Sequence, residues 1–259
     1  MIDIHSHVLP GVDDGAKSEM GSLMMLEAAA TEGIHTVVAT PHYNRNYTIQ
    51  RPEVLERVQR LQSLVDEREL AVRVLPGQEV RVYAELLADV AAGKVLTVAD
   101  AGKYLLVEFP FGNIPSYAEK LLADLKVAGM TPIIAHPERN KEIAANPGRL
   151  YDFVAKGALT QLTASSIAGF SGQKLQGLSQ ELIAHHLVHT IATDAHNNSI
   201  RSYSLKKAYE EIEKSCGERY TQYFKENARL IIEGKEVVSK QPKPMGNRKK
   251  SAFSLFKGK

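Results

Sequence analysis

Thiol is what this sequence has least of: its 259 residues hold one cysteine, Cys216. A single thiol excludes an intramolecular disulfide framework and fits a reducing compartment, so the cytoplasm is the expected location. No apolar run is long enough to span a bilayer, and nothing near Met1 resembles a signal peptide. Acid is missing from one region. Lys240 to Lys259 contains seven basic residues and no Asp or Glu. The whole chain carries a formal +2, so without those seven charges the remainder stands at −5. A mildly acidic body argues against a broad nucleic-acid surface, and no specific nucleic-acid partner is expected.

What is present is an alternation of short apolar strands with amphipathic helices, without internal repeats. Met1–His7 reads as a strand whose alternation puts Asp3, His5 and His7 on one face and Ile2 and Ile4 on the other. A loop with Pro10, Gly11 and the acid pair Asp13-Asp14 follows. Ser18 is placed to cap a helix that Gly33 closes. Pro52 opens a helix striped by Val54, Val58, Leu61 and Val65. Ser116 and Glu119 have the spacing of a capping box for a helix ending at Gly129. Further strands are expected at 35–40, 71–75, 104–108, 132–136, 159–164 and 189–193, with two closing helices reaching Glu233. Such alternation with short connections predicts one α/β domain, either a parallel barrel or a doubly wound sheet. Residues 1–234 form that domain, and 235–259 read as a basic, flexible tail. Phe253, Leu255 and Phe256 among the tail's lysines suit contact with a membrane surface or partner; the alternative is a solvated tail.

Six strands end in residues able to hold a metal: His5 and His7, His42, Glu79, Glu108, His136, and Asp194 with His196. In parallel α/β barrels functional groups gather at the C-terminal strand ends, so these residues would converge on one mouth. Asp14 can reach the same place from the first loop, with Asp13 as its rival. Each has a plainer reading: a hydrogen-bonded histidine pair for His5 and His7, a core histidine for His136, a buried paired carboxylate for Glu108. Recurrence at six strand ends favours the metal site. Histidine and carboxylate without thiolate suit Mn, Fe or Zn. Nine ligands are too many for one ion and enough for two or three. Four carboxylates oppose the +6 of three divalent ions and leave +2, which matches a phosphate monoester dianion attacked by hydroxide made from bound water. Arg139, three residues after His136, is a candidate to hold phosphate or stabilise the leaving oxygen, a surface salt bridge being the alternative.

These residues resemble the polymerase-and-histidinol-phosphatase (PHP) pattern from Met1 to about Glu233. The strings Met-Ile-Asp-Ile-His-Ser-His, Val-Asp-Asp-Gly, Ala-Thr-Pro-His and Ala-His-Pro-Glu-Arg are similar to those of manganese-dependent bacterial tyrosine phosphatases from capsule and exopolysaccharide operons, the CpsB/YwqE type. The resemblance implies a distorted (β/α)7 barrel with three Mn2+ ions. It implies one ion held by His5, His7, Glu79 and Asp194, a second by Glu79, Glu108 and His136, and a third by Asp14, His42 and His196. Arg139 would assist catalysis, and the implied substrate is a phosphotyrosine protein, chiefly a bacterial tyrosine kinase. Arg45 and Tyr47, in the Asn44–Thr48 stretch after His42, are expected on the rim, Arg45 as a substrate contact. Thiol-based phosphatase chemistry is excluded, because the residue six after Cys216 is Gln222 and not arginine. The competing activity is a small-molecule phosphomonoesterase of the histidinol-phosphatase kind. A metal-stabilised binding module without turnover is disfavoured, since a structural site needs no open coordination position.

Overall fold

Beyond Pro41 and Gly77, which follow the strands expected at 35–40 and 71–75, the chain forms two further short strands. Proline brings no N–H to a ladder. At Gly77 a Cβ would lie 2.9 Å from Val38 Cγ1, so a side chain there would press on the Val38 side chain of the neighbouring strand. The computed structural model describes residues 1–246 and contains nine strands in place of the seven expected. They are β1 (Ile2–Ser6), β2 (Thr36–Ala39), β3 (His42–Tyr43), β4 (Arg73–Pro76), β5 (Glu79–Arg81), β6 (Tyr104–Glu108), β7 (Thr131–Ala135), β8 (Leu159–Thr163) and β9 (Thr190–Ala192). Every pairing is parallel, in the orders β1-β2-β4 and β3-β5-β6-β7-β8-β9. The breaks matter for the site. They put His42 and Glu79 opposite one another in the β3–β5 register.

The outer edges of the two sheets also meet. Asp194 N donates to His5 O at 2.9 Å and His7 N to Ala195 O at 2.8 Å, just beyond β9. Strand residues alternate between two apolar clusters, as buried parallel strands require. Val38, Leu106, Ile133 and Ala192 join the smaller cluster, whereas Val37, Val107, Ile134 and Ile191 join the larger one beneath the helices. The helix Glu218–Ile232 places Ala228 and Ile231 in the smaller cluster.

Strict alternation fails in β1. Asp3 pairs with Val37 but Ser6 pairs with Ala39, so β1 carries one more residue than its partner between these points. Such a bulge re-aims side chains. Ile4 joins the smaller cluster, yet its neighbour His5 reaches Gln161 on β8. Asp3 does not share a site with His5 and His7; its carboxylate accepts from Thr193 N at 3.0 Å and from the Thr193 hydroxyl.

Two helix starts contrast. Ser18 Oγ accepts from Gly21 N at 3.1 Å and caps the helix Glu19–Thr31. The expected box at Ser116 does not form: a turn brings Ala118 N to Pro115 O at 2.9 Å, and the helix Ala118–Val127 begins after Tyr117 without a side-chain cap.

The beginning of the expected tail is docked on the body. Asn227 imitates a strand edge, donating to Val238 O at 3.0 Å and accepting from Val238 N at 3.0 Å. Tyr104 OH donates to Lys235 O at 2.6 Å, and Lys240 Nζ stands 3.4 Å from the Tyr220 ring centre. Phe253, Leu255, Phe256 and the basic run around them lie outside the described residues. Among the described residues no helix is long and apolar enough to cross a membrane.

Candidate metal centre

Buried imidazoles and carboxylates converge where the strands end. His5, His7, Glu79 and Asp194 each offer one ligand atom within 4.8 Å of the others, and all four are buried. The two Nε2 atoms of His5 and His7 are 3.2 Å apart. Glu79 Oε2 lies 3.3 Å from His5 Nε2 and 3.2 Å from His7 Nε2, and Asp194 Oδ1 lies 3.5 and 3.3 Å from the same atoms. A tetrahedron of such edges has its centre about 2 Å from each vertex, the length of a bond to a first-row divalent ion.

The surroundings fix which nitrogen faces inward. Gln161 Nε2 donates to Leu162 O at 2.8 Å, which turns its Oε1 toward His5 Nδ1, also at 2.8 Å. His7 Nδ1 donates to Asp13 Oδ2 at 2.7 Å. Each Nδ1 is thus a donor to its own acceptor, which leaves Nε2 as the nitrogen that each ring can offer to a cation. Glu79 Oε2 and Asp194 Oδ1 are buried without any hydrogen-bond partner. Two imidazole Nε2 atoms and two unpartnered carboxylate oxygens around one point fit a cation there.

A second group consists of His7, Asp14, His42 and His196, and a third of His42, Glu79 and Glu108. Asp14 Oδ1 is 3.3 Å from His196 Nε2 and 3.4 Å from His42 Nε2. His196 Nδ1 donates to Asp194 O at 2.9 Å, leaving Nε2 buried and unpartnered. His136 Nε2 is 2.7 Å from Glu79 Oε1, and Glu108 Oε1 accepts from Arg81 Nε at 2.8 Å. His42, which the resemblance assigns to one ion, therefore also stands 2.9 Å from Glu79 Oε2 and 3.6 Å from Glu108 Oε1.

Asp13 and Asp14 separate cleanly. Asp14 faces the imidazoles. Asp13 stands behind them, accepting from His7 Nδ1, from His42 N at 3.0 Å and from Gly15 N at 2.8 Å. Gly15 is required by proximity, since a Cβ there would lie 2.0 Å from His7 O.

Charge and burial compete throughout. Burial would push Glu79 up, but the His5 and His42 charges and the His136 hydrogen bond hold it well below the usual carboxylate range. Burial likewise opposes ionisation of Asp194; His7, His5 and Arg139 outweigh it and hold that carboxyl well below the ordinary value. Glu108 goes the other way, raised by burial and by the Glu79 charge beside it. Burial would lower His7, yet the Asp13 hydrogen bond and the nearby Asp194 and Glu79 carboxylates hold it well above the usual histidine value. The acidic cluster thus draws positive charge inward. His136 and Asp194 both adopt left-handed backbone, at φ 32° and 54°, a strain of about 1–3 kcal/mol each that collects at functional sites.

Two guanidinium groups border the cluster. Arg139 donates from Nη1 to Asp194 Oδ2 and from Nη2 to Ser165 Oγ at 3.4 Å. Arg201 donates to the same Asp194 oxygen at 3.0 Å and to Asp14 Oδ2 at 3.4 Å. Both line a cavity of about 330 Å3 together with His42, Glu108 and His136. Sequence reasoning missed Arg201, whose only signal was its place in the loop after Asp194-Ala-His196. Arg45 is exposed and lines neither this cavity nor its neighbour. Tyr47 comes closer, its ring stacked on His42 with centroids 5.8 Å apart.

Relatives share this architecture. The family model for capsular polysaccharide synthesis, CpsB/CapC, matches residues 1–233. The tyrosine-protein phosphatase YwqE of Bacillus subtilis (strain 168) is 41% identical over 254 residues, covering 98% of this chain and 100% of the relative. The tyrosine-protein phosphatase CpsB of Streptococcus pneumoniae is 29% identical over 240 residues, 90% of this chain and 98% of CpsB. A crystal structure from work on YwqE and CpsB, described there as unique metal-dependent tyrosine phosphatases, superposes with a TM-score of 0.93 at 41% identity, over 95% of this chain and 100% of that one. An α/β fold of parallel sheets, a buried histidine–carboxylate cluster and this similarity agree: the chain belongs to the CpsB/CapC family of capsular polysaccharide synthesis proteins.

Proposed function

We propose that this chain is a metal-dependent tyrosine-protein phosphatase. The observation that carries the reading is the inward-facing set of His5, His7, Glu79 and Asp194, with two carboxylate oxygens buried and unpartnered. His5, His7, Glu79 and Asp194 would hold one ion; Glu79, Glu108 and His136 a second; Asp14, His42 and His196 a third. Histidine and carboxylate donors suit manganese, with iron or zinc as the alternatives. Ions bound there would supply Lewis acidity toward a phosphoryl oxygen and toward water. Arg139 and Arg201 meet at one oxygen of Asp194, so each is held in place before substrate arrives. From there two fixed cations bind the phosphate dianion and offset charge on the departing phenolate oxygen. Asp13 and Gln161 keep His7 and His5 in the tautomer whose Nε2 can ligate.

The strands, with β1 meeting the end of β9, are read as a distorted seven-stave barrel in which β2 with β3, and β4 with β5, are broken staves. A protein substrate is favoured over a small one because Phe111 stands 62% exposed at the cavity mouth, a poor arrangement for enclosing a metabolite. A tyrosine-phosphorylated protein of capsule synthesis, a bacterial tyrosine kinase foremost, is the substrate, and the cytoplasm its place.

The test uses Mn2+-loaded protein with a phosphotyrosine peptide and with histidinol phosphate. The expected kcat/KM ratio favours the peptide by about ten-fold or more. Chelation is expected to abolish turnover and lower Tm, with Mn2+ restoring both. No turnover of either substrate overturns the reading, and a preference for histidinol phosphate replaces it with the small-molecule one.

A further inference from the structure

Large apolar side chains left in solvent are few among the described residues, and three of the eight gather beside the metal cluster. Phe111 is 62% exposed, Phe170 70% and Ile200 94%. All three line a depression of about 480 Å3. It is continuous with the catalytic cavity, because Phe111, Arg139, Asp194 and Arg201 line both.

These side chains are not loose ends. Asn140, directly after Arg139, donates from Nδ2 to Pro110 O at 2.8 Å and to Asn113 O at 3.2 Å, bracketing Phe111. Lys141 N donates to Phe111 O at 3.0 Å, and Lys141 Nζ stands 5.2 Å from its ring centre. Phe170 lies in a turn tied by Ser171 N to Ser165 O at 3.2 Å and Ser165 Oγ to Ser171 Oγ at 3.1 Å. Ile200 sits in a loop gathered by Asn197 Oδ1, which accepts from Ser199 N at 2.9 Å and from Arg201 N at 3.1 Å. Three separate loops thus hold apolar groups in water, at a cost that an apolar ligand would recover. The loops also carry or buttress Arg139 and Arg201, so this surface is built on the same segments as the phosphate-facing charges.

We infer that the depression walled by Phe111, Phe170 and Ile200 is a specificity subsite for a large apolar side chain flanking the phosphotyrosine. The inference rests on the phosphatase reading and goes beyond it to the sequence of the substrate. A phosphotyrosine whose phosphate reaches the cluster lays its neighbours across this rim. In an extended segment, residues two apart point to the same side about 7 Å from one another. The second residue on one side of the phosphotyrosine therefore enters the depression, against Phe111 at the shared wall. Serines 165 and 171 border the apolar seat and leave the substrate backbone a polar edge.

The test is a set of phosphotyrosine peptides carrying leucine or serine at the second position before or after the phosphotyrosine, assayed with the Mn2+-loaded full chain. Leucine at one of the two positions is expected to raise kcat/KM about ten-fold over serine, mainly through KM. In Phe170→Ser and Ile200→Ser variants that keep the wild-type circular dichroism spectrum, that leucine-to-serine ratio is expected to fall toward one. A ratio within about two-fold of one at both positions in the wild type overturns the subsite. So does a ratio that survives in the Phe170→Ser/Ile200→Ser double variant. Failure to turn over any phosphotyrosine peptide is a separate outcome: it overturns the phosphatase reading itself.

Discussion

Asp13→Asn removes one acceptor and is expected to weaken metal binding without deleting a ligand. The Asp13 carboxylate receives three hydrogen bonds: from His7 Nδ1 at 2.7 Å and His42 N at 3.0 Å on Oδ2, and from Gly15 N at 2.8 Å on Oδ1. An asparagine can keep its carbonyl toward Gly15 N only by turning its NH2 toward two other donors. His7 then relieves the clash by moving its proton to Nε2, the nitrogen that faces Glu79 and Asp194. A protonated Nε2 has no lone pair for a cation. Loss of a carboxylate behind a ligating histidine costs about 10- to 100-fold in metal affinity, or about 1.4–2.7 kcal/mol. His7 would ligate the ion held with His5, Glu79 and Asp194, so binding of that ion should weaken most. Calorimetric titration of Mn2+ into stripped protein measures this directly. Activity should recover in part at high Mn2+ for Asp13→Asn and far less for Asp14→Asn, whose oxygen faces His42 and His196. Mn2+ affinity within two-fold of wild type in a folded Asp13→Asn protein would refute the tautomer argument.

Two other perturbations follow from the same geometry. Gly15→Ala would put a Cβ 2.0 Å from His7 O and 2.5 Å from His7 Cβ. Displacing the loop is expected to cost about 1–3 kcal/mol, read as a lower Tm and a weaker Mn2+ isotherm; an unchanged isotherm would refute the close approach. His189 is a stability probe at the far end of β9. Its Nδ1 accepts from Thr160 N at 3.1 Å, and burial pushes its pKa down from 6.5 to about 4. Between those values the unfolded chain binds the proton and the folded one does not. Stability therefore falls as pH drops from 6.5 toward 4, by up to about 3 kcal/mol. His189→Gln should flatten that part of the stability-versus-pH curve of metal-free protein measured by denaturant unfolding; an identical slope would remove His189 from the account.

The residue types at the strand ends were legible in the sequence because ligands there follow short apolar runs. The pairing of faces was not. Alternation put Asp3 with His5 and His7, and the β1 bulge undid it, placing Asp3 against Thr193 instead. A bulge is a register event between two strands, and neither strand carries it alone. The split of β2 from β3 and of β4 from β5 had visible agents in Pro41 and Gly77, but not its purpose of setting His42 against Glu79. Asp13 and Asp14 are chemically identical neighbours, and only the folded loop distinguishes the one behind His7 from the one before His196. Arg201 sits in an irregular loop without periodicity, so its two bonds to carboxylates left no pattern to read. Ser116 failed as a cap because Pro115 starts a turn that delays the helix.

The meeting of β1 with the end of β9 also orders events during synthesis. His5 and His7 leave the ribosome well before Asp194 and His196, and β1 has β2 as its sheet partner meanwhile. Until then His5 and His7 lack the oxygen of Asp194, and Gln161, which sets the His5 tautomer, also arrives late. Domains gain their long-range contacts only once the whole unit has emerged. The full set of His5, His7, Glu79 and Asp194 therefore exists only once β9 has emerged, so a cation bound there would be captured late in folding.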